Sequence, residues 1–187
     1  MFRIEARFRP SDSVGLCATP NGFTLVELVA VLLLLGVLAA TATSRLVSGN
    51  AFAPALVAQQ VVAVGRLAQQ TAQSRRDATV SLDIDQNGSD WRVRVLVDDG
   101  STTAVAAEER AQLRNTNVNV GNGGASVALG PTSTLHVVFD GMGGVVGGTV
   151  GSAPLDPSVG VAVSTVGDST ASVCIGTTGH VYRGACS

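Results

Sequence analysis

Between Phe23 and Ser44 the chain reads FTLVELVAVLLLLGVLAATATS, twenty-two residues with one charge, Glu27, before Arg45 closes the run. Coiled into an α-helix, this stretch is roughly 33 Å long, which matches the hydrocarbon core of a bilayer. Arg3, Arg7 and Arg9 precede it, diluted by Glu5 and Asp12. That bias predicts a cytoplasmic N-terminus and an exported C-terminal body. A carboxylate inside such a segment costs about 2.5–3.5 kcal/mol on insertion scales, so Glu27 needs a partner or a task.

Export changes what the cysteines should do. Cys17 precedes the apolar run, whereas Cys174 and Cys186 lie near the C-terminus. In an oxidising compartment the latter two are expected to form a disulfide, with two buried free thiols as the alternative. The 187 residues suffice for one domain beside the membrane-length segment. With 22 glycines and 4% aromatics, its core should be Val, Ala and Leu laid across many turns. All twelve basic residues are arginine, and the net charge of −2 argues against a broad electrostatic grip on nucleic acid.

Three readings of the apolar run compete. A secretory signal peptide cleaved near the ATA of Ala40 to Ala42 explains the leader and the apolar core but leaves Glu27 idle. A plain single-pass anchor leaves it equally idle, and a lipoprotein signal is excluded because Cys17 comes before the apolar core. The third reading uses every residue. GFTLVELVAVLLLLGVLAA resembles the N-terminal motif of type IV pilins and type II secretion pseudopilins, without a gap from Gly22 to Leu28. The resemblance implies cleavage after Gly22 by a prepilin peptidase and N-methylation of the new first residue, Phe23. It also implies a role for Glu27 in filament assembly, facing the N-terminal amine of a neighbouring subunit. A hydrogen-bonded buried pair offsets much of the cost of its charges and sets register. The leader of 22 residues is longer than in many members. The proline that members often carry about twenty residues into the mature helix is missing, and the first proline after the cleavage site is Pro54. A bend is therefore expected around Gly49 to Pro54.

Beyond the run, Val57, Val61, Val64, Ala68 and Ala72 recur at helical spacing, while Gln59, Gln60, Gln69, Gln70 and Gln73 occupy much of the other face. This predicts an amphipathic helix to Arg76. The period then becomes two: ATVSLDI (78–84) and WRVRVLV (91–97) flank DQNGSD and read as a β-hairpin, with Arg92 and Arg94 on one face. Residues 104–115 fit a short helix or an irregular strand. Residues 116–120, 135–139, 159–164, 171–176 and 180–184 are further strand candidates between Gly-rich loops. The expected organisation is a leader (1–22), a transmembrane and filament-core helix (23–44), the amphipathic second half of the spine helix (45–76) and a β-rich head (77–187). The fold class is α+β, a long N-terminal helix on an antiparallel sheet. That order is similar to the GspH/FimT branch of pseudopilins and to MSHA-type minor pilins. LHVVFDGMGGV resembles the branch's strand and turn through Phe139, Gly141, Gly143 and Gly144, and ASVCIGTTGHVYRG its terminal hairpin, with His180 after Gly179 where an arginine is usual. A hairpin turning at Thr177–Thr178 sets Cys174 opposite Val181, so a bridge to Cys186 requires the tail to fold back.

Little else suggests chemistry. Asp83, Asp85 and Asn87 match the opening of a calcium loop, but Arg94 stands where a bidentate glutamate is required. Asn87 to Ser89 also fits a glycosylation acceptor that the turn already explains. His136 and His180 lie in separate strands with no zinc spacing, no GxSxG elbow is present, and neither glycine cluster, 121–124 or 141–148, forms a phosphate-binding fingerprint; both read as flexible loops. No cofactor and no enzymatic role are expected. The expected partners are the prepilin peptidase, other pilin subunits and inner-membrane lipid, with the head in the periplasm and later in a pseudopilus or cell-surface pilus. The rival is a DNA-uptake minor pilin, for which Arg75, Arg76, Arg92, Arg94 and Arg183 would have to gather.

Overall fold

The computed structural model describes residues 24–46, 51–112, 115–124 and 126–186. These fall into two units, one ending at Leu46 and one beginning at Val47. The first holds α1, Leu25–Leu46, 22 residues long. Its side chains are exposed from Leu25 to Leu38 on every face, Leu25 by 80%. A helix that is apolar all round has no solvent-facing side and is suited to burial. Among the described residues no helix is long and apolar enough to cross a membrane. Phe23, the first residue of the expected span, lies outside them.

The described residues of the second unit start with the turn residues Ala51 and Phe52, followed by α2, Ala53–Ser74. Pro54 sits in the first turn, where its missing N–H costs nothing; Gly49 and Asn50, where the expected bend begins, lie outside the described residues. The stripe Val57, Val61, Val64, Ala68 and Ala72 is buried, each residue at 3% exposure or less. Gly65 completes it, since a Cβ there would lie 3.0 Å from the Val181 side chain. The glutamines act as fasteners: Gln60 Nε2 donates to Arg110 O (3.2 Å), Gln69 Nε2 to Thr178 O (3.0 Å) and Gln73 Nε2 to Met142 O (3.1 Å).

Two antiparallel sheets pack under this helix. The six-stranded sheet is ordered β3 (Thr103–Gln112), β2 (Asp90–Asp98), β1 (Thr79–Asn87), β6 (Leu135–Phe139), β7 (Val145–Val150), β8 (Ala153–Pro154). The five-stranded sheet is ordered β11 (Val181–Arg183), β10 (Thr170–Ile175), β9 (Val161–Val166), β4 (Asn117–Gly121), β5 (Val127–Ala128). The β1–β2 hairpin forms as the alternation predicts, with Val93 and Val95 buried and Arg92 and Arg94 on the outer face. Its two-residue turn places Gly88 at φ +61°, the left-handed region that glycine enters without strain. Trp91, 1% exposed, donates through Nε1 to Thr116 O (2.9 Å) and so ties β2 to the lead-in of β4.

One open choice is decided and two expectations need correction. Residues 103–112 form strand β3, the second of the two alternatives, although Ala, Glu, Arg and Gln favour helix; pairing with β2, with one bulge, overrides that weak preference. The glycine cluster at 141–148 is not simply a loop, because Val145–Val150 pairs with β6. Gly148 is needed there: a Cβ would come within 2.0 Å of His136 O. The terminal hairpin sets Cys174 opposite Tyr182, not Val181. Its loop turns on Thr178 with Gly179 at φ +74°, one residue longer than a turn at Thr177–Thr178 allows.

Candidate assembly site

Helix α1 starts where its own sequence dictates. Thr24 is the residue before its first turn: its carbonyl accepts from Leu28 N–H (3.2 Å), and its Oγ1 accepts from Glu27 N–H (3.3 Å). Thr24 and Glu27 therefore stand at the N-cap and N3 positions of a capping-box sequence, Thr-x-x-Glu. A negative side chain in the first turn also complements the helix dipole, worth about 0.3–1 kcal/mol. Glu27 thus serves its own helix before any neighbour arrives. The Thr-x-x-Glu spacing of Thr24 and Glu27 is itself a local sequence signal for this start. Gly22 and Phe23 lie outside the described residues.

The outer face of the six-stranded sheet carries a cross-strand row of alternating charge: Glu108 opposite Arg94, Arg94 opposite Asp83, Asp83 opposite His136. Asp83 is buried and accepts a short contact from His136 Nδ1 (2.6 Å), with Arg94 3.8 Å away. Asp85 pairs with Arg92 and lies 3.6 Å from Arg94. The hydrogen bond to Asp83 raises the His136 pKa above its ordinary value, against the opposing effect of burial. Nothing local signalled this contact, which joins residues 53 apart in sequence.

These pairs bear on the calcium reading. Asp83, Asp85 and Asn87 lie on strand β1 and in a tight hairpin, with both carboxylates facing cations rather than a common centre. Among the described residues no group of three or more metal-ligating side chains converges. The arginines are likewise dispersed. Arg75 and Arg76 follow the end of α2, Arg92 and Arg94 on β2 are held by aspartates of β1, and Arg183 is on β11 of the other sheet.

Cys174 and Cys186 are bridged, their Cα atoms 5.1 Å apart. Gly184 N–H donates to Ser172 O (2.9 Å) and turns the tail back beneath β10. Gly160 leaves room for the sulfurs, because a Cβ there would lie 3.1 Å from Cys186 Sγ and 3.3 Å from Cys174 Sγ.

At the far end of α2 the sheets meet through two turns. Asp140 Oδ1 accepts from Met142 N–H (2.9 Å) and Gly144 N–H (2.7 Å), shaping the turn after Phe139. Val145 N–H donates to Thr177 O (2.9 Å), and the Cα of Gly179 packs against Gly143 O so closely that a Cβ would approach it to 1.7 Å. Gly143 and Gly179 therefore form a sheet-to-sheet junction.

Neither the curated proteins nor the solved structures give a match to this chain. Residues 19–43 match the family model described as the prokaryotic N-terminal methylation motif. That match spans the capped start of α1, Glu27 and most of the apolar helix, and such a motif implies processing by a prepilin peptidase and assembly with other pilins. Residues 19–43 thus carry a motif that is consistent with a type IV pilin-like protein.

Proposed function

We propose that this chain is a structural minor pilin or pseudopilin, a non-catalytic subunit of a type II secretion or type IV pilus filament. One observation carries the reading: the methylation motif coincides with a capped helix that is exposed and apolar on all sides, with a single carboxylate in its first turn. Prepilin peptidase cuts after Gly22, and the amine of Phe23 is methylated. The subunit waits in the inner membrane with its head in the periplasm, then enters the filament through α1. There the Glu27 carboxylate meets the amine of the next subunit, because an apolar filament core offers it no water and an unpaired charge would be costly. The two-sheet head, a GspH/FimT-like arrangement in this reading, supplies contacts with other minor subunits. The disulfide suits an oxidising periplasm. A DNA-uptake role has weaker support, since two of its five arginines are already neutralised by Asp83 and Asp85.

Mass spectrometry of the mature N-terminus tests the reading. Methylated Phe23 is the expected result, and a chain beginning at Thr43 would instead mark signal-peptidase cleavage and remove Glu27 altogether. Within the same experiment, Glu27→Ala should still be cut and membrane-inserted but should be lost from sheared filaments. Wild-type incorporation of that variant overturns the pairing.

A further inference from the structure

We infer that Asn87, at the tip of the β1–β2 hairpin, is a site of spontaneous covalent modification. Its side-chain amide is lost to ring closure by the backbone nitrogen of Gly88, leaving aspartate or isoaspartate. The second Asn-Gly pair of the head, Asn122–Gly123, is kept unreactive by the fold. The inference uses only the geometry of the head and holds whether or not the N-terminal segment is processed.

Asn-Gly favours this chemistry because glycine sets no side chain beside the attacking nitrogen and leaves the backbone free to rotate. The turn accounts for Gly88 but not for Asn87. Asn87 pairs with Asp90, so the loop is Gly88–Ser89, and the positive φ of +61° falls on Gly88. A turn of that form requires glycine at its first loop position and no particular residue before it. Asn87 is exposed, and neither polar atom of its side chain has a hydrogen-bond partner among the described residues. The Gly88 N–H is unpaired as well, and a Cβ built on Gly88 would meet nothing within 4 Å. Between residues 86 and 90 the one side-chain bond is a long contact from Gln86 Nε2 to Gly88 O (3.4 Å). Nucleophile and electrophile thus stand on adjacent residues with neither tied up. Ring closure rotates Asn87 out of its extended conformation, for which only the last hairpin pair must open, and exposed ends open at low free-energy cost.

Asn122 is the opposite case. Its Nδ2 donates to Asp156 O (3.1 Å) and Val159 O (3.0 Å), and its Oδ1 accepts from Asp156 N–H (2.6 Å). All three bonds must break before its side-chain carbon can reach the Gly123 nitrogen. Gly123 is also backed by Val159, 3.4 Å from where a Cβ would stand. The same dipeptide is therefore free in one loop and fastened in the other.

At the hairpin tip the Gly88 nitrogen gives its proton to solvent base and bonds to Asn87 Cγ. The Cγ–Nδ2 bond breaks, and Nδ2 takes a proton from water and leaves as ammonia. Water then opens the cyclic imide at either carbonyl, giving aspartate from one and isoaspartate from the other. Water is the one co-reactant, and nothing is oxidised or reduced. The product sets a carboxylate in the outward row of Asp83 and Asp85 and directly opposite Asp90, where like charges repel. Modification thus adds one negative charge to the head and loosens the end of the hairpin.

The test incubates the full chain in mild detergent at neutral and at mildly alkaline pH. Mass spectrometry of the two Asn-Gly peptides follows loss of each amide, and enzymatic methylation counts isoaspartate. In the folded chain the Asn87 amide should be lost at least tenfold faster than the Asn122 amide, and faster at the higher pH. In guanidinium chloride, where the bonds to Asn122 are gone, the two rates should converge. Asn87→Gln should stop the reaction at this position while Trp91 fluorescence reports an intact head. Asn87→Asp should speed hydrogen exchange of the tip amides without any incubation. A folded-state loss at Asn87 no faster than at Asn122, an Asn122 amide lost as quickly folded as unfolded, or tip exchange unmoved by Asn87→Asp overturns the proposal.

Discussion

The contact between Gly179 and Gly143 allows a substitution series that separates backbone strain from packing. Gly179 has φ +74°, and an added Cβ would stand 1.7 Å from Gly143 O. Placing an L-residue in the left-handed region costs about 1–2 kcal/mol. Relieving the clash requires the two turns to separate, for which overpacking costs of about 1–3 kcal/mol are a guide. The expected loss for Gly179→Ala is therefore about 2–5 kcal/mol. Gly88 shares the left-handed conformation, at φ +61°, but a Cβ there meets nothing within 4 Å. Gly88→Ala should show the conformational cost alone, about 1–2 kcal/mol. Gly147 lies in strand β7 without a positive φ and with open space around it, so Gly147→Ala should be neutral or slightly stabilising. The assay is denaturant unfolding of the full chain in mild detergent, followed by fluorescence. The single tryptophan, Trp91, is 1% exposed in the head and reports that unit alone. If Gly179→Ala and Gly88→Ala unfold at the same midpoint, the sheet-to-sheet junction contributes nothing and the reasoning fails.

Other perturbations follow from the outer face and the tail. Because Asp83 raises the His136 pKa, the imidazolium–carboxylate pair contributes fully below the ordinary histidine value near 6.5 and is lost as the pH rises through the raised folded value. Head stability should thus fall modestly from pH 6 to pH 8, by less than about 1 kcal/mol given a 39% exposed imidazole, and His136→Asn should flatten the profile. A wild-type profile that rises over that window contradicts the pairing. Removing the disulfide in Cys174→Ala/Cys186→Ala should cost about 3 kcal/mol for a loop spanning 12 residues, seen as a lower denaturation midpoint. An unchanged midpoint would mean that the tail is held by Gly184 N–H and its packing instead.

Local chemistry carried much of this molecule. The α2 stripe was readable because 3.6-residue periodicity depends only on which side chains avoid water, and each of its five positions is buried. The β1–β2 hairpin was readable because alternation and a two-residue turn entered through Gly88 act within twenty residues. Strand β3 stays open between helix and strand in the sequence and the Gly-rich β7 reads as loop, since only a paired neighbour makes either a strand. The register at Cys174 depended on one left-handed glycine, and the partner of Asp83 on bringing β6 beside β1.

The apolar run and Glu27 are written in consecutive residues, so the kind of N-terminal segment this protein carries could be read without its fold. What tertiary structure alone decided is where the sheets meet, which glycines must be glycines and which charges neutralise each other. Each of those is a relation between segments remote in the chain, set by backbone pairing and close packing rather than by the preferences of any single stretch.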